Sequence, residues 1–329
     1  MKRRDFLLKS AISGSAVIFH PENVSYLTRS TRKPNAVIII GAGFAGLAAA
    51  MKLKAEGIKV TVLEARKRVG GRVFSNQPVR ANGQVIELGA EWIGNSHERV
   101  IALCHEFGLK IENNQFETDL LLGGKYAAAG KWKFDTEMEN FWENKVVLWE
   151  NMPESQKRKL DKTDWWRYLS QQGISEKDLL LRDLMDSTDF GESIRHTSAF
   201  AAFAEYAESS EKNEMDLKIK GGNSKLAEKM AENIGRENIL LDHGVLSINQ
   251  NGVKGVTVFC NNGKSFEAEK VICAIPTASV LKIDWKPGLS NKMQEAIQEL
   301  QYARIGKFPV VFSERFWKRE DFDLLTDTQ

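Results

Sequence analysis

Three glycines stand close together in Gly41-Ala42-Gly43-Phe44-Ala45-Gly46. An uncharged, β-branched run, Ala36 to Ile40, leads directly into them, and Leu47 to Glu56, nearly all good helix formers, leads out to Gly57. The chemistry open to such a turn is to hold a diphosphate. Gly41 permits the tight turn, Gly43 lacks a Cβ and lets phosphate reach the backbone, and Gly46 lets the helix pack closely on its strand. The free amides and positive dipole end of the helix then face the anion. A second strand, Lys59 to Leu63, ends in Glu64, 21 residues after Gly43. A carboxylate there accepts from both ribose hydroxyls and repels a 2′-phosphate, which argues against NADP.

Glycines at this spacing also occur in purely structural turns. The strand before, the helix after and the acid at its distance point to a dinucleotide instead. The strand itself is apolar throughout, as a central parallel strand buried on both faces should be.

The next stretch is Glu64-Ala65-Arg66-Lys67-Arg68-Val69-Gly70-Gly71-Arg72. Placed after a GxGxxG unit, it resembles the flavin-dependent amine oxidase superfamily. The resemblance implies an α/β fold: a Rossmann-like (GR2-type) FAD-binding domain with an inserted, mostly helical substrate domain. Gly70-Gly71 allow a second backbone approach to the diphosphate, and Arg72 can bridge its oxygens in two places. Lys67 and Arg68 read as a solvated basic loop. Further on, Val85 to Ile93 resembles the family segment that passes beside the isoalloxazine ring. Gly89 and Ala90 are small, as a backbone against a flat ring requires. Trp92 reads equally as a core aromatic, whereas Glu91 in a nearly apolar run is harder to treat as surface. The cofactor-binding residues implied are Gly41, Gly43, Ala45, Gly46, Glu64, Ala65, Arg72, Gly89, Ala90, Glu91, Trp92 and Val245.

Residues 96–214 show helical patterns at Glu98–Phe107, Glu137–Trp149, Asp164–Gln171, Glu176–Met185 and Ala199–Ala207, and no strand alternation. The tryptophans gathered here read as helix-packing core more than as a binding cage. Gly221-Gly222 then leads into a helix over Lys225–Ile234, capped by Asn223 or Ser224. Short strands at Ile239–Asp242, Val245–Asn249, Val253–Cys260, Ser265–Ala268 and Val271–Ile275 read as a meander beside the parallel sheet, with a hairpin at Asn262-Gly263. By the resemblance, Val245 offers its backbone to the adenine, and Val271–Pro276 returns toward the flavin. The expected division is an FAD-binding domain of 34–95 and 215–285, and a substrate domain of 96–214 and 286–329.

Tyr302 to Phe312 resembles a substrate-domain strand in which a lysine holds a water near the flavin. Lys307 falls on that position, which makes it the one catalytic residue implied; the competing reading is a strand lysine facing solvent. Family members continue past this strand, so the chain is expected to be C-terminally truncated. The activity implied is FAD-dependent oxidation of an amine to an imine, with dioxygen as acceptor and hydrogen peroxide released. L-amino-acid oxidases resembling the chain carry an arginine within the segment Gly89–Trp92, and this chain has none, which argues for an amine without a carboxylate. A flavin desaturase or porphyrinogen-type oxidase, and a non-catalytic flavin-binding remnant, stay open as alternatives.

Composition excludes other classes. The 329 residues are 42% hydrophobic and 27% charged with a net charge of +2, so neither disorder nor a strongly basic nucleic-acid surface is expected. No run of 18 uncharged apolar residues suggests a membrane span. Three scattered cysteines and five dispersed histidines offer no disulfide framework or metal site. Charge is uneven: residues 1–33 hold Lys2, Arg3, Arg4, Lys9, Arg29, Arg32 and Lys33 against Asp5 and Glu22. The opening Arg3-Arg4-Asp5-Phe6-Leu7 and the short apolar run after it resemble a twin-arginine signal. That implies export of a folded, cofactor-loaded protein to the periplasm by the twin-arginine machinery.

Overall fold

The structure is a computed structural model that describes residues 35–78, 83–208, 216–250, 252, 255–300, 302–317, 319 and 322–327. The segment expected to be an export leader, residues 1–33, lies outside the described residues.

A parallel sheet organises the nucleotide-binding half. Ala36–Ile40 lies at its centre, flanked by Lys270–Cys273 on one side and Lys59–Leu63 on the other, with Ile239–Leu240 beyond. Alternation along the central strand explains why it is apolar throughout. Val37 and Ile39 point into a core shared with the helices Phe44–Ala55 and Ser224–Ile234. Ile38 and Ile40 point the other way, onto Ile248, Val256 and Val258. Both faces are covered, so every position wants a hydrophobe.

The second cover is an antiparallel sheet of Ser265–Ala268, Val256–Cys260 and Val245–Gln250, joined in parallel by Asp284–Lys286. The predicted meander is thereby corrected. Its first and last segments, at 239 and 270, belong to the parallel sheet, because their carbonyls and amides pair with Lys59–Leu63 and Ala36–Ile40.

Helices dominate the middle of the chain: Glu98–Glu106, Thr136–Asn151, Glu154–Leu160, Trp165–Gln171, Glu176–Phe190 and Ala199–Glu208. Those from Thr136 onward share a core of their own around Trp149, Trp165, Phe141 and Phe203, with Trp142 and Trp166 packed at its edge. The tryptophans here are packing residues.

The expectation of no strands over 96–214 is wrong. Ile111–Asn113 pairs with Leu217–Ile219, and Glu117–Leu122 turns through Gly123-Gly124 into Lys125–Ala127. Glu117–Leu122 also pairs in parallel with Phe322–Thr326. Arg319 fastens that join, donating to both oxygens of the buried Asp119 at 2.9 and 3.0 Å. Among the described residues no helix is long and apolar enough to cross a membrane.

Candidate functional site: a glycine-lined cleft and its lysine edge

Two glycine loops meet at the C-terminal end of the central strand, where ligands settle in open parallel sheets. Gly41 takes φ +98° and turns the chain off the strand. Gly70 and Gly71, at φ +99° and +59°, bring the second loop against the first. The Gly70 amide donates to the Ala42 carbonyl at 2.8 Å, and Gly43 bridges to Gly70.

Each glycine has its own reason. A Cβ on Gly46 would overlap the Gly41 carbonyl oxygen, so the helix sits where only glycine fits. Gly43 is different. Its φ of −74° and ψ of 173° suit any residue, and a Cβ there would meet nothing nearer than the Gly71 Cα at 3.8 Å. The protein's own packing does not demand glycine at 43, whereas a ligand pressed onto the backbone does.

Glu64 is buried beneath these loops and hydrogen-bonded by the backbone. Its Oε2 accepts from the Ala42 amide and its Oε1 from the Arg66 amide, both at 2.8 Å. Each oxygen keeps a further acceptor direction for a hydroxyl.

Above lies a cavity of about 680 Å³. Of the predicted cofactor residues, Gly41, Gly43, Ala45, Glu64, Ala65, Arg72 and Val245 line it, while Gly46 is buried under it. The helix N-terminus at Phe44 opens into the same space, offering first-turn amides to an anion.

The remaining predicted residues form a second group. Gly89 is pressed onto the Arg72 backbone, where a Cβ would collide with the Arg72 carbonyl oxygen, and the Ala90 amide donates to that carbonyl at 3.0 Å. Glu91 Oε2 accepts from Lys307 Nζ at 2.7 Å. Trp92 is 40% exposed and outside every core, and the Lys307 ammonium stands 5.8 Å from its ring centroid. Arg72 joins the two groups, since it lines the cavity and its carbonyl accepts from the 89–90 turn.

Lys307 is therefore beside the predicted flavin segment, but not on a strand. Residues 302–312 are extended without sheet pairing, and Phe308 is 91% exposed. The resemblance implies a strand, yet a strand needs a partner, and no described segment pairs here. The stretch is anchored at points instead. The Tyr302 hydroxyl accepts from the Thr277 amide and hydroxyl, each at 3.0 Å, and the Arg304 amide donates to Gly191 at 3.0 Å. The two Thr277 donors, with Arg72 nearby, pull the Tyr302 phenol below its ordinary value.

Some contributors were missed or misread. Arg68 is not a solvated loop residue. Its guanidinium donates to the carbonyls of Val69, Gly71 and Val73 at 2.9–3.3 Å and stacks 4.0 Å from the Phe74 ring centroid. Partial burial lowers its pKa, with Arg66 adding to the effect. Three converging carbonyls were invisible in the sequence, because the turn that gathers them is set by Gly70 and Gly71. Asn223 precedes its helix without capping it by side chain. Its buried amide is committed elsewhere, to Ile219, Ala90 and Glu91. His243 also lines the cavity, and its amide donates to the Glu64 carbonyl at 2.8 Å. The turn-forming Asp242-His243-Gly244 was the available signal.

The sequence profile of a family described as flavin containing amine oxidoreductase matches residues 44–329. Amine oxidase (flavin-containing) B of Mus musculus is 26% identical over 309 residues, covering 87% of this chain and 59% of the relative. Amine oxidase (flavin-containing) A of Equus caballus is likewise 26% identical, covering 87% and 58%. Wild-type putrescine oxidase bound to putrescine superposes with a TM-score of 0.69 at 26% identity, covering 80% of this chain and 63% of that one. The chain thus spans about three-fifths of the length of the curated relatives it matches.

Proposed function

The chain belongs to the flavin containing amine oxidoreductase family, and we propose that it binds FAD across the two glycine loops and oxidises a small amine to its imine. The observation that carries the cofactor reading is Gly43: a glycine that the protein's own packing leaves room to replace, facing a cavity over a carboxylate held by backbone amides.

In this reading Gly43, Gly71 and the amides starting at Phe44 receive the diphosphate, with Arg72 bridging its oxygens. Glu64 takes the ribose hydroxyls, and the turn at His243–Val245 borders the adenine. When bound, the flavin would supply the two-electron chemistry, with dioxygen as the final acceptor and hydrogen peroxide as its product. The residues of this chain supply position and charge. Gly89 folds the segment tightly onto Arg72, and the small Ala90 beside it leaves room for a planar ring. Lys307 presents an ammonium beside them and can hold a water by hydrogen bonding. The substrate is an amine without a carboxylate, since Gly89–Trp92 offers Glu91 and no arginine to pair with one. The basic leader with Arg3-Arg4 supports export to the periplasm through the twin-arginine route.

A second reading, flavin binding without turnover, is favoured by the uncovered apolar side chains of Ile305, Phe308 and Val310 beside Lys307. One experiment separates them. FAD is titrated into the purified chain by calorimetry, and the loaded protein is mixed anaerobically with a primary amine. Binding followed by bleaching of the flavin absorbance supports the oxidase. Binding without bleaching supports the second reading, and no binding removes both.

A further inference from the structure

Glu91 and Lys307 are 216 residues apart in sequence and joined at 2.7 Å. Their side chains are about one-third exposed, 34% and 30%. Ion pairs this exposed usually contribute little, because two long side chains must be held in one geometry. Here both backbones are fixed independently.

The Glu91 side is held by Asn223, which is 5% exposed. Its Nδ2 donates to the Glu91 carbonyl at 2.6 Å and to the Ala90 carbonyl at 3.2 Å, while its Oδ1 accepts from the Ile219 amide at 3.0 Å. Its own amide donates to Glu87 Oε1 at 2.7 Å. Ser75 Oγ donates to the same Glu87 carboxylate at 2.8 Å. The Lys307 side is held by the Tyr302 and Arg304 anchors, and Lys307 Nζ makes a second bond to the Glu87 carbonyl at 3.3 Å.

Two consequences follow. The lysine ammonium has a fixed direction, which a four-carbon stem would not give it alone. The pairing in turn gives Glu91 Oε2 a fixed partner within the chain. We propose that Glu91, seated by Asn223, is the positioning residue for Lys307 rather than an anchor for substrate. The inference rests on the amine-oxidase reading for its kinetic arm, and on geometry alone for the ion pair.

The test uses the full chain and its Glu91→Gln and Asn223→Ala variants. Lys307 is acetylated at pH 8 with an N-hydroxysuccinimide ester, and its labelling rate is followed by peptide mass spectrometry, which needs neither cofactor nor turnover. We expect Lys307 to label at least fivefold faster in Glu91→Gln and about twofold faster in Asn223→Ala, with Lys52, 80% exposed on the Phe44–Ala55 helix, unchanged as an internal control. Labelling of Lys307 at the wild-type rate in Glu91→Gln overturns the positioning role, and the wild-type rate in Asn223→Ala overturns the seating by Asn223. Steady-state kinetics with butylamine and 1,4-diaminobutane complete the test. We expect Glu91→Gln to lower kcat for both amines by a similar factor with their KM ratio unchanged. A tenfold rise in KM for the diamine alone makes Glu91 a substrate anchor and overturns the proposal. FAD titration of each variant is the control. A wild-type chain that fails to take FAD, or takes it without amine oxidation, sinks the oxidase reading and with it the kinetic arm, while the labelling result still decides the ion pair.

Discussion

Gly46 packs so closely over Gly41 that a Cβ on Gly46 would overlap the Gly41 carbonyl oxygen. Three residues earlier, at the helix start, Gly43 has no such neighbour. The glycine motif thus contains one member required by the fold and one required by whatever lies on it.

That difference predicts opposite phenotypes. Gly43→Ala should fold, losing at most about 1 kcal/mol for a poorer helix N-cap, while its affinity for FAD falls by more than about tenfold as the methyl fills the diphosphate groove. Gly46→Ala should instead lose about 3 kcal/mol or more of stability, since the helix must move off its strand. Denaturant melts and FAD titrations of the two variants check this. Equal behaviour in both assays would remove the distinction.

Glu64 sits where both its oxygens already serve backbone amides. Glu64→Gln keeps one acceptor oxygen and loses the charge. Charge-assisted hydrogen bonds are worth roughly twice neutral ones, so FAD affinity should drop about tenfold by calorimetry, with little change in affinity for a ligand lacking the ribose, such as pyrophosphate. An unchanged FAD affinity would place the ribose elsewhere.

Arg68 is predicted to matter without touching the ligand. Its fork gathers three carbonyls of the second glycine loop. Arg68→Lys keeps the charge but has a single donor centre, so it should not rescue the Arg68→Ala loss of FAD affinity. Full rescue by lysine would show that charge alone acts at this position.

The nucleotide-binding half could be read from local sequence because its signals are local. The Ala36–Ile40 strand, the turn at Gly41 and the Phe44–Ala55 helix are contiguous, and Glu64 follows at a distance set by one crossover. What escaped the reading depends on remote partners. Glu117–Leu122, with sequence Glu-Thr-Asp-Leu-Leu-Leu, does not alternate, and it becomes a strand beside Phe322–Thr326 across some two hundred residues. The converse error lies at Phe308–Phe312, where a strand implied by resemblance meets no partner among the described residues. Asn223 shows a third kind: a residue type that caps helices is drawn away because Ala90 and Glu91 present carbonyls within its reach.

A pH dependence should come from the helical core. Asp186 is fully buried there, accepting from Trp165 Nε1 at 2.9 Å and from the Arg182 guanidinium, which itself stacks 3.8 Å from the Trp142 ring centroid. Burial pushes its carboxyl up from 3.8 to about 6, an effect that Arg182 opposes without cancelling. An acid whose folded pKa is raised binds more protons folded than unfolded, so its contribution is complete below pH 3.8 and is lost as pH rises through about 6. The shift corresponds to about 3 kcal/mol. Asp186→Asn, a permanent mimic of the protonated acid, should therefore match wild type near pH 4 and become the more stable protein by several degrees in Tm near pH 7. Thermal melts of both proteins across that range check the sign. A variant less stable than wild type at pH 7 would mean that the Arg182 pairing outweighs the cost of burying the charge.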